Sequence, residues 1–176
     1  MFHDTSVLIN FHRAGLLPAL GGLLGGDVAW VGTVRSECER KERDLSLPAL
    51  TSSADAILGE PLRPLGAEHL RVRRQREMMA APGDHPDEHL GEAETITLIG
   101  MRAIHAMIAT DDKSVARFAG STPVANTWQL ARTCFSGGYV SLEEVTTLWR
   151  LFGEAGGTWP REINAVEKFT RFLLRK

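Results

Sequence analysis

Short apolar runs alternating with helical stretches restrict what this chain can fold into more than any other feature of its sequence. Such runs open at Phe2 and recur at residues 28–31, 106–110 and 122–126, and each is followed by apolar residues at helical spacing. Strands joined through helices need crossover connections, which make parallel neighbours with both sheet faces covered. The expected fold is therefore α/β: a three-layer α/β/α arrangement around a short, mainly parallel central sheet. At 176 residues, 43% of them hydrophobic, the chain is long enough for one domain with its own core, spanning residues 1–176.

Within that frame a first helix follows Asp4, and Gly21, Gly22, Gly25 and Gly26 are expected to break the next helical stretch. Further helices are expected over residues 33–43, 67–80 and 91–105. Residues 81–89 carry Pro82, Gly83 and Pro86 and read as a loop. The Asp111-Asp112 pair is expected to open a helix running to Ala119, and the chain beyond residue 126 reads as helical, interrupted near Gly137 and Gly156.

Several function classes are disfavoured at this level. A net charge of −2 rules out a uniformly basic surface, so binding of a polyanion must come from a local patch. Cys38 and Cys134 are too few for a disulfide framework and lack the spacing of a zinc site; both are expected to pack as small hydrophobes. No stretch approaches the roughly 18 apolar residues of a membrane span, and no basic segment precedes an apolar run at the N-terminus. A cytoplasmic location is expected.

The candidate chemistry lies in scattered acids. Asp4 and Asp112 each follow an apolar run and precede a helix, which places them at the carboxyl ends of parallel strands, where α/β sheets bind ligands. Over residues 91–105, Ala93, Ile96, Ile99, Ala103 and Met107 form one stripe at 3.6 residues per turn; Glu92 falls on that side and Glu94 on the other. In residues 33–43, Glu37 lies beside the core-facing Val34 and Cys38, with Glu39 and Glu42 farther round. Taken singly, an aspartate before a helix is most often an N-cap and a helix glutamate a solvated charge. Their joint appearance at elements that would adjoin in one sheet makes an oxygen-rich pocket, with Thr5 or Ser6 alongside, that suits Mg2+ or Mn2+ better than zinc.

These residues are similar to a known pattern. Asp4-Thr5-Ser6-Val7-Leu8-Ile9, Val34-x-x-Glu37, Leu90-Gly91-Glu92-Ala93-Glu94-x-Ile96 and Ala109-Thr110-Asp111-Asp112, with Ala116, Arg117 and Ala119 behind, resemble in order and spacing the PIN-domain nucleases, and among them the VapC-type ribonuclease toxins. The resemblance implies a PIN-like sheet sandwiched by helices and a Mg2+- or Mn2+-dependent endoribonuclease. It makes Asp4, Glu37, Glu92 and Asp112 the catalytic acids, with Asp4, Glu92, Asp111 and Asp112 as metal ligands. It further implies RNA as substrate, a cognate antitoxin protein as partner, and a homodimer. Two departures stand out: only Met1, Phe2 and His3 precede Asp4, so a weak, edge-like first strand is expected, and Glu92 stands where many toxins have aspartate. Asp111 and Asp112 are both kept as ligand candidates.

Arg71, Arg73, Arg74 and Arg76 could meet phosphates, Arg71 and Arg74 being, together with Thr5 and Ser6 beside Asp4, the substrate-binding candidates, against the plainer reading of a solvated helix face. Trp30, Trp128, Trp149 and Trp159 read as core residues, and His69, His85, His89 and His105 as surface or loop residues. Two alternatives stay open, a non-catalytic PIN-like module binding RNA or protein, and a structure-specific DNA nuclease.

Overall fold

The computed structural model describes residues 1–175. Its chain is α/β and mostly helical, with one short parallel sheet. Strands β1 (Phe2–His3), β2 (Ile108–Ala109) and β3 (Val124–Ala125) lie in the order β1-β2-β3, with Phe2 opposite Ile108 and Ile108 opposite Val124. The helices are α1 (Thr5–Arg13), α2 (Leu17–Leu24), α3 (Gly32–Asp44), α4 (Leu50–Leu58), α5 (Glu68–Met79), α6 (Leu90–Met101), α7 (Val115–Phe118), α8 (Thr127–Ser136), α9 (Leu142–Glu154) and α10 (Val166–Leu174). Among the described residues no single helix is long and apolar enough to cross a membrane.

The run at residues 28–31 does not form a full strand. It extends the parallel row through isolated bridges, Ala29 to Phe2 on one side and Val31 to Leu62 on the other. Successive backbone groups of an extended segment point to opposite sides, so Ala29 exchanges bonds with Met1 and His3 while Trp30 and Gly32 bond to Leu62. This corrects the edge-like first strand: β1 is interior, with Phe2 N–H on Met107 O, His3 N–H on Ala29 O and Asp4 N–H on Ala109 O. The two short neighbours together hold what β1 alone is too brief to hold. His3 is buried inside this row, and burial, helped by the nearby N-terminal ammonium, pushes its ring down to about 4, so it is neutral at neutral pH.

Several other expectations are revised by packing. Helix α2 runs through Gly21 and Gly22 instead of breaking there, because these positions let other elements approach. A Cβ at Gly21 would lie 3.0 Å from Ile57 Cγ2 and one at Gly22 3.2 Å from Tyr139 Cδ1. Helix α7 is confined to Val115–Phe118, since Asp112 closes its own turn on Ser114 instead of starting a longer helix.

Helix α6 stops at Met101, with Ala103 beyond it at a φ of 48°, and is not one-sided: Ala93, Glu94, Thr95, Thr97, Leu98 and Ile99 are all buried. It packs against both α3 and α5, so its amphipathic stripe is replaced by burial nearly all round. Glu94, expected to face away, is 3% exposed; its carboxylate accepts from Gly32 N at 3.1 Å and from Thr33 Oγ1. Helix α3 has no side-chain cap from Val31, and Glu94 supplies the missing acceptor at its positive end.

The tryptophans pack as expected. Trp30 is fully buried, and Trp128, Phe152, Trp149, Trp159 and Phe169 form an aromatic cluster under α9 and α10, with Trp149 and Trp159 stacked at 4.8 Å. Cys38 and Cys134 are buried and free.

Candidate functional site

Asp4 stands where β1 passes into α1. Its extended backbone leaves the carboxylate to cap that helix, so the N-cap reading and the site reading describe one residue. Oδ2 accepts from Ser6 N at 3.4 Å, Ser6 Oγ at 2.7 Å and Thr110 Oγ1 at 3.2 Å. From the first turn of α1, Thr5 Oγ1 donates to Glu37 Oε2 at 2.6 Å and so ties α1 to α3. Glu37 Oε1 has no hydrogen-bond donor among the described residues. Glu92 enters from the first turn of α6, and Asp112 from the turn after β2, where Ser114 holds both its oxygens at 2.7 Å.

These four acids act on one another. Burial pushes Glu92 up to about 8, and the negative charges of Asp4, Glu37 and Asp112 add to that rise. Burial likewise raises Glu37, with the Asp4 charge adding and the Thr5 hydrogen bond opposing. Asp4 is raised by burial against the pull of Ser6 and Thr110. Among the described residues none of Asp4, Glu37 and Glu92 is ion-paired to lysine or arginine. Half-buried carboxylates gathered without a counter-charge are costly unless a proton or a cation neutralises them. An oxygen-rich donor set of this kind fits a hard divalent cation.

The adjacent acids after β2 have separate roles. Asp111 accepts from Thr127 N at 2.9 Å, Thr127 Oγ1 at 2.6 Å and Asn10 Nδ2 at 3.0 Å, so both its oxygens are spent joining α1 to the start of α8. Asp112 instead faces His89 and Glu92, and ligating atoms of these three lie within 4.8 Å of one another. His89 is a residue that sequence reasoning passed over as a loop histidine. It is half-buried, with Nδ1 3.5 Å from Asp112 Oδ2 and Nε2 3.5 Å from Asp84 Oδ2. Its backbone φ of 63° at the N-cap of α6 turns the ring toward the acids. The available signal was its position three residues before Glu92 at a helix start. A second grouping, Asp84, Glu88 and His89, lies on the loop beside it.

A cleft of about 560 Å3 opens over Asp4, Thr5, Ser6, Glu37, Glu92 and His89, with Arg40 and Lys41 on its rim. Arg71 and Arg74 are exposed on α5 and line none of the clefts near the acids, whereas Arg73 does; Arg76 is used internally, bonding to the carbonyls of His85 and Glu88.

Gly91 lets α6 sit close enough for the acids to meet. A Cβ there would lie 3.0 Å from Val34 Cγ2 and 3.3 Å from Glu37 Oε1. Glycine-to-alanine changes inside helices ordinarily stabilise by about 0.5–1 kcal/mol. Gly91→Ala is expected to reverse that sign, costing about 1–3 kcal/mol through overpacking and displacing Glu37. A thermal melt with and without Mn2+ checks it, since both the melting temperature and its response to the metal should fall; a more stable protein with an unchanged metal response would refute the close-packing role.

Comparison with protein-family models, with curated proteins and with solved structures finds no match to this chain.

Proposed function

We propose that this chain is a PIN-like, three-layer α/β/α endoribonuclease that hydrolyses RNA phosphodiester bonds with Mg2+ or Mn2+. The observation that carries the reading is the approach of Asp4, Glu37 and Asp112, from three separate segments, to Glu92, whose carboxyl is pushed up to about 8 by burial and by their charges; Glu92 and Asp112 meet beside His89, and Asp4, Glu37 and Glu92 line one cleft. The parallel row running from Leu62 through residues 29–31, β1, β2 and β3 puts Asp4 and Asp112 past the carboxyl ends of neighbouring strands, which also supports it.

In this reading Asp4, Glu92 and Asp112 hold the cation, Glu37 supports them, and Asp111 keeps its structural role. A bound divalent cation supplies Lewis acidity toward the scissile phosphate and attacking water. The hydroxyls of Ser6, Thr110, Thr5 and Ser114 fix the carboxylates in place, so little reorganisation is needed on binding. Glu92, pushed up to about 8 by burial and the neighbouring charges, would give up its proton on holding the cation. Arg40 and Lys41 supply cationic heads for the flanking phosphates. A role as the toxin of a toxin–antitoxin pair, with an antitoxin partner and a homodimeric state, belongs to the same proposal.

The test is a cleavage assay on matched RNA and DNA oligonucleotides with Mn2+, Mg2+ or a chelator. RNA is expected to be cut, DNA spared and the chelator to stop the reaction. Preferential cutting of DNA would move the protein to the structure-specific DNA nucleases; no cutting, with a fold indifferent to Mn2+, would make it a binding module.

A further inference from the structure

A second, larger cleft of about 810 Å3 lies between α3 and α5 and is floored by the segment that carries Arg63 and Leu65. Arg40 and Asp87 line both this cleft and the acidic one, so the two adjoin at this pair of residues.

The charge in it is lopsided. Arg40 and Arg43 project from α3 at nearly one helical turn's spacing, Arg73 and His69 from α5 at i and i+4, and Arg63 from the floor. The acids on its walls are largely spoken for: Glu39 is held by Arg35, and Glu94 by Gly32 and Thr33. Asp87 is exposed and reaches Arg40 at only 3.9 Å. Arg43, Arg63 and Arg73 are exposed and form no ion pair among the described residues. Leu65, at 71% exposure, stands with them. Arginines spaced along a wall suit a row of phosphates, and an exposed apolar side chain beside a histidine suits the faces of unpaired bases. A lone inorganic phosphate would need neither the length nor Leu65.

We propose that the cleft walled by Arg40, Arg43, Arg63 and Arg73 holds the backbone of single-stranded RNA on one side of the bond presented to the acids. The choice of RNA rests on the function proposed above. Arg73, which lines the cleft where Arg71 and Arg74 do not, takes the phosphate-binding part on α5, and Arg40 hands the strand from one cleft to the other.

The experiment measures binding apart from cleavage. Fluorescence anisotropy of a 5′-labelled unstructured oligoribonucleotide is recorded over a salt series with the full chain carrying Asp112→Asn, alone and combined with Arg43→Ala, Arg73→Ala or both. Each arginine removed is expected to flatten the slope of log Kd against log salt by about 0.7, and the pair to weaken binding about 10-fold or more at low salt. Arg161→Ala with Arg171→Ala, in the separate basic patch by α10, is expected to leave both quantities unchanged. With Asp112 intact, the cleft variants are expected to raise KM and spare kcat. Binding that depends on the cleft in a protein that cuts no RNA would uphold this inference and reject the nuclease; cleavage with Kd and KM indifferent to the cleft arginines, binding lost through the α10 patch instead, or no RNA binding at all, would overturn it.

Discussion

Asp4→Asn and Asp112→Asn are each expected to reduce metal-dependent RNA cleavage by about 10^3-fold or more, on the order of 4 kcal/mol of transition-state stabilisation, while the protein stays folded. Asparagine keeps the size of aspartate, and its carbonyl oxygen can still accept from Ser6 and Thr110 at position 4, and can keep one of the two Ser114 bonds at position 112. What it loses is the charge. Removing one negative charge from beside Glu92, whose carboxyl both Asp4 and Asp112 raise, relieves repulsion in the metal-free fold, so the melting temperature should hold or rise. Loss of activity with stability kept separates a chemical role from a structural one. Asp111→Asn makes the contrast, because Asp111 bridges Thr127 and Asn10; it is expected to lower stability and to affect cleavage far less. Full cleavage by both the Asp4 and Asp112 variants would reject the nuclease assignment.

The metal-free protein is expected to lose stability as pH rises from about 6.5 to about 8, and Mn2+ to restore it. Glu92 carries a folded-state pKa of about 8 against an ordinary 4.5. Between those values the unfolded chain has released its proton while the fold retains it, so the Glu92 contribution declines through the window; below about 6.5 His3, neutral in the fold and protonated when unfolded, works the other way, which leaves the fall clearest from about 6.5 to about 8. The raised carboxyls of Asp4 and Glu37 act in the same direction. A divalent cation takes the place of those protons, so its binding should strengthen over the same range. At about 100 times its Kd the cation contributes about 2.7 kcal/mol, a rise of roughly 5–10 °C in melting temperature for a chain of this size. Glu92→Gln removes one of the raised carboxyls and is expected to flatten the pH slope. Melting temperatures measured across pH, with chelator or Mn2+, decide the matter: a metal-free protein equally stable at both ends of the window would contradict the picture of crowded carboxylates.

Local signals in this chain read well where local chemistry decides the outcome. The helix over Glu68–Met79, the loop around Pro82 and the interruption near Gly156 all follow from residues within a few positions of one another. The strands were legible as positions and overestimated as lengths, because an apolar run marks burial and not the number of ladder bonds that twisted neighbours leave available. Gly21 and Gly22 misled for a related reason: a glycine that breaks a helix and one that admits a neighbour are identical in sequence, and only Ile57 and Tyr139 tell them apart.

By itself the sequence determined that short parallel strands alternate with helices, and that Asp4, Glu37, Glu92 and Asp112 sit at the ends or inner faces of those elements, since capping and periodicity act over a turn or two of chain. Tertiary structure alone decided that Asp112 and not Asp111 meets Glu92, that His89 joins them, that Glu94 is buried beneath α3, and that Arg73 instead of its neighbours enters a cleft. Each of those outcomes turns on which way a side chain points once elements distant in sequence have packed. A half-turn difference between adjacent residues is set by the facing helix, not by the residues beside them.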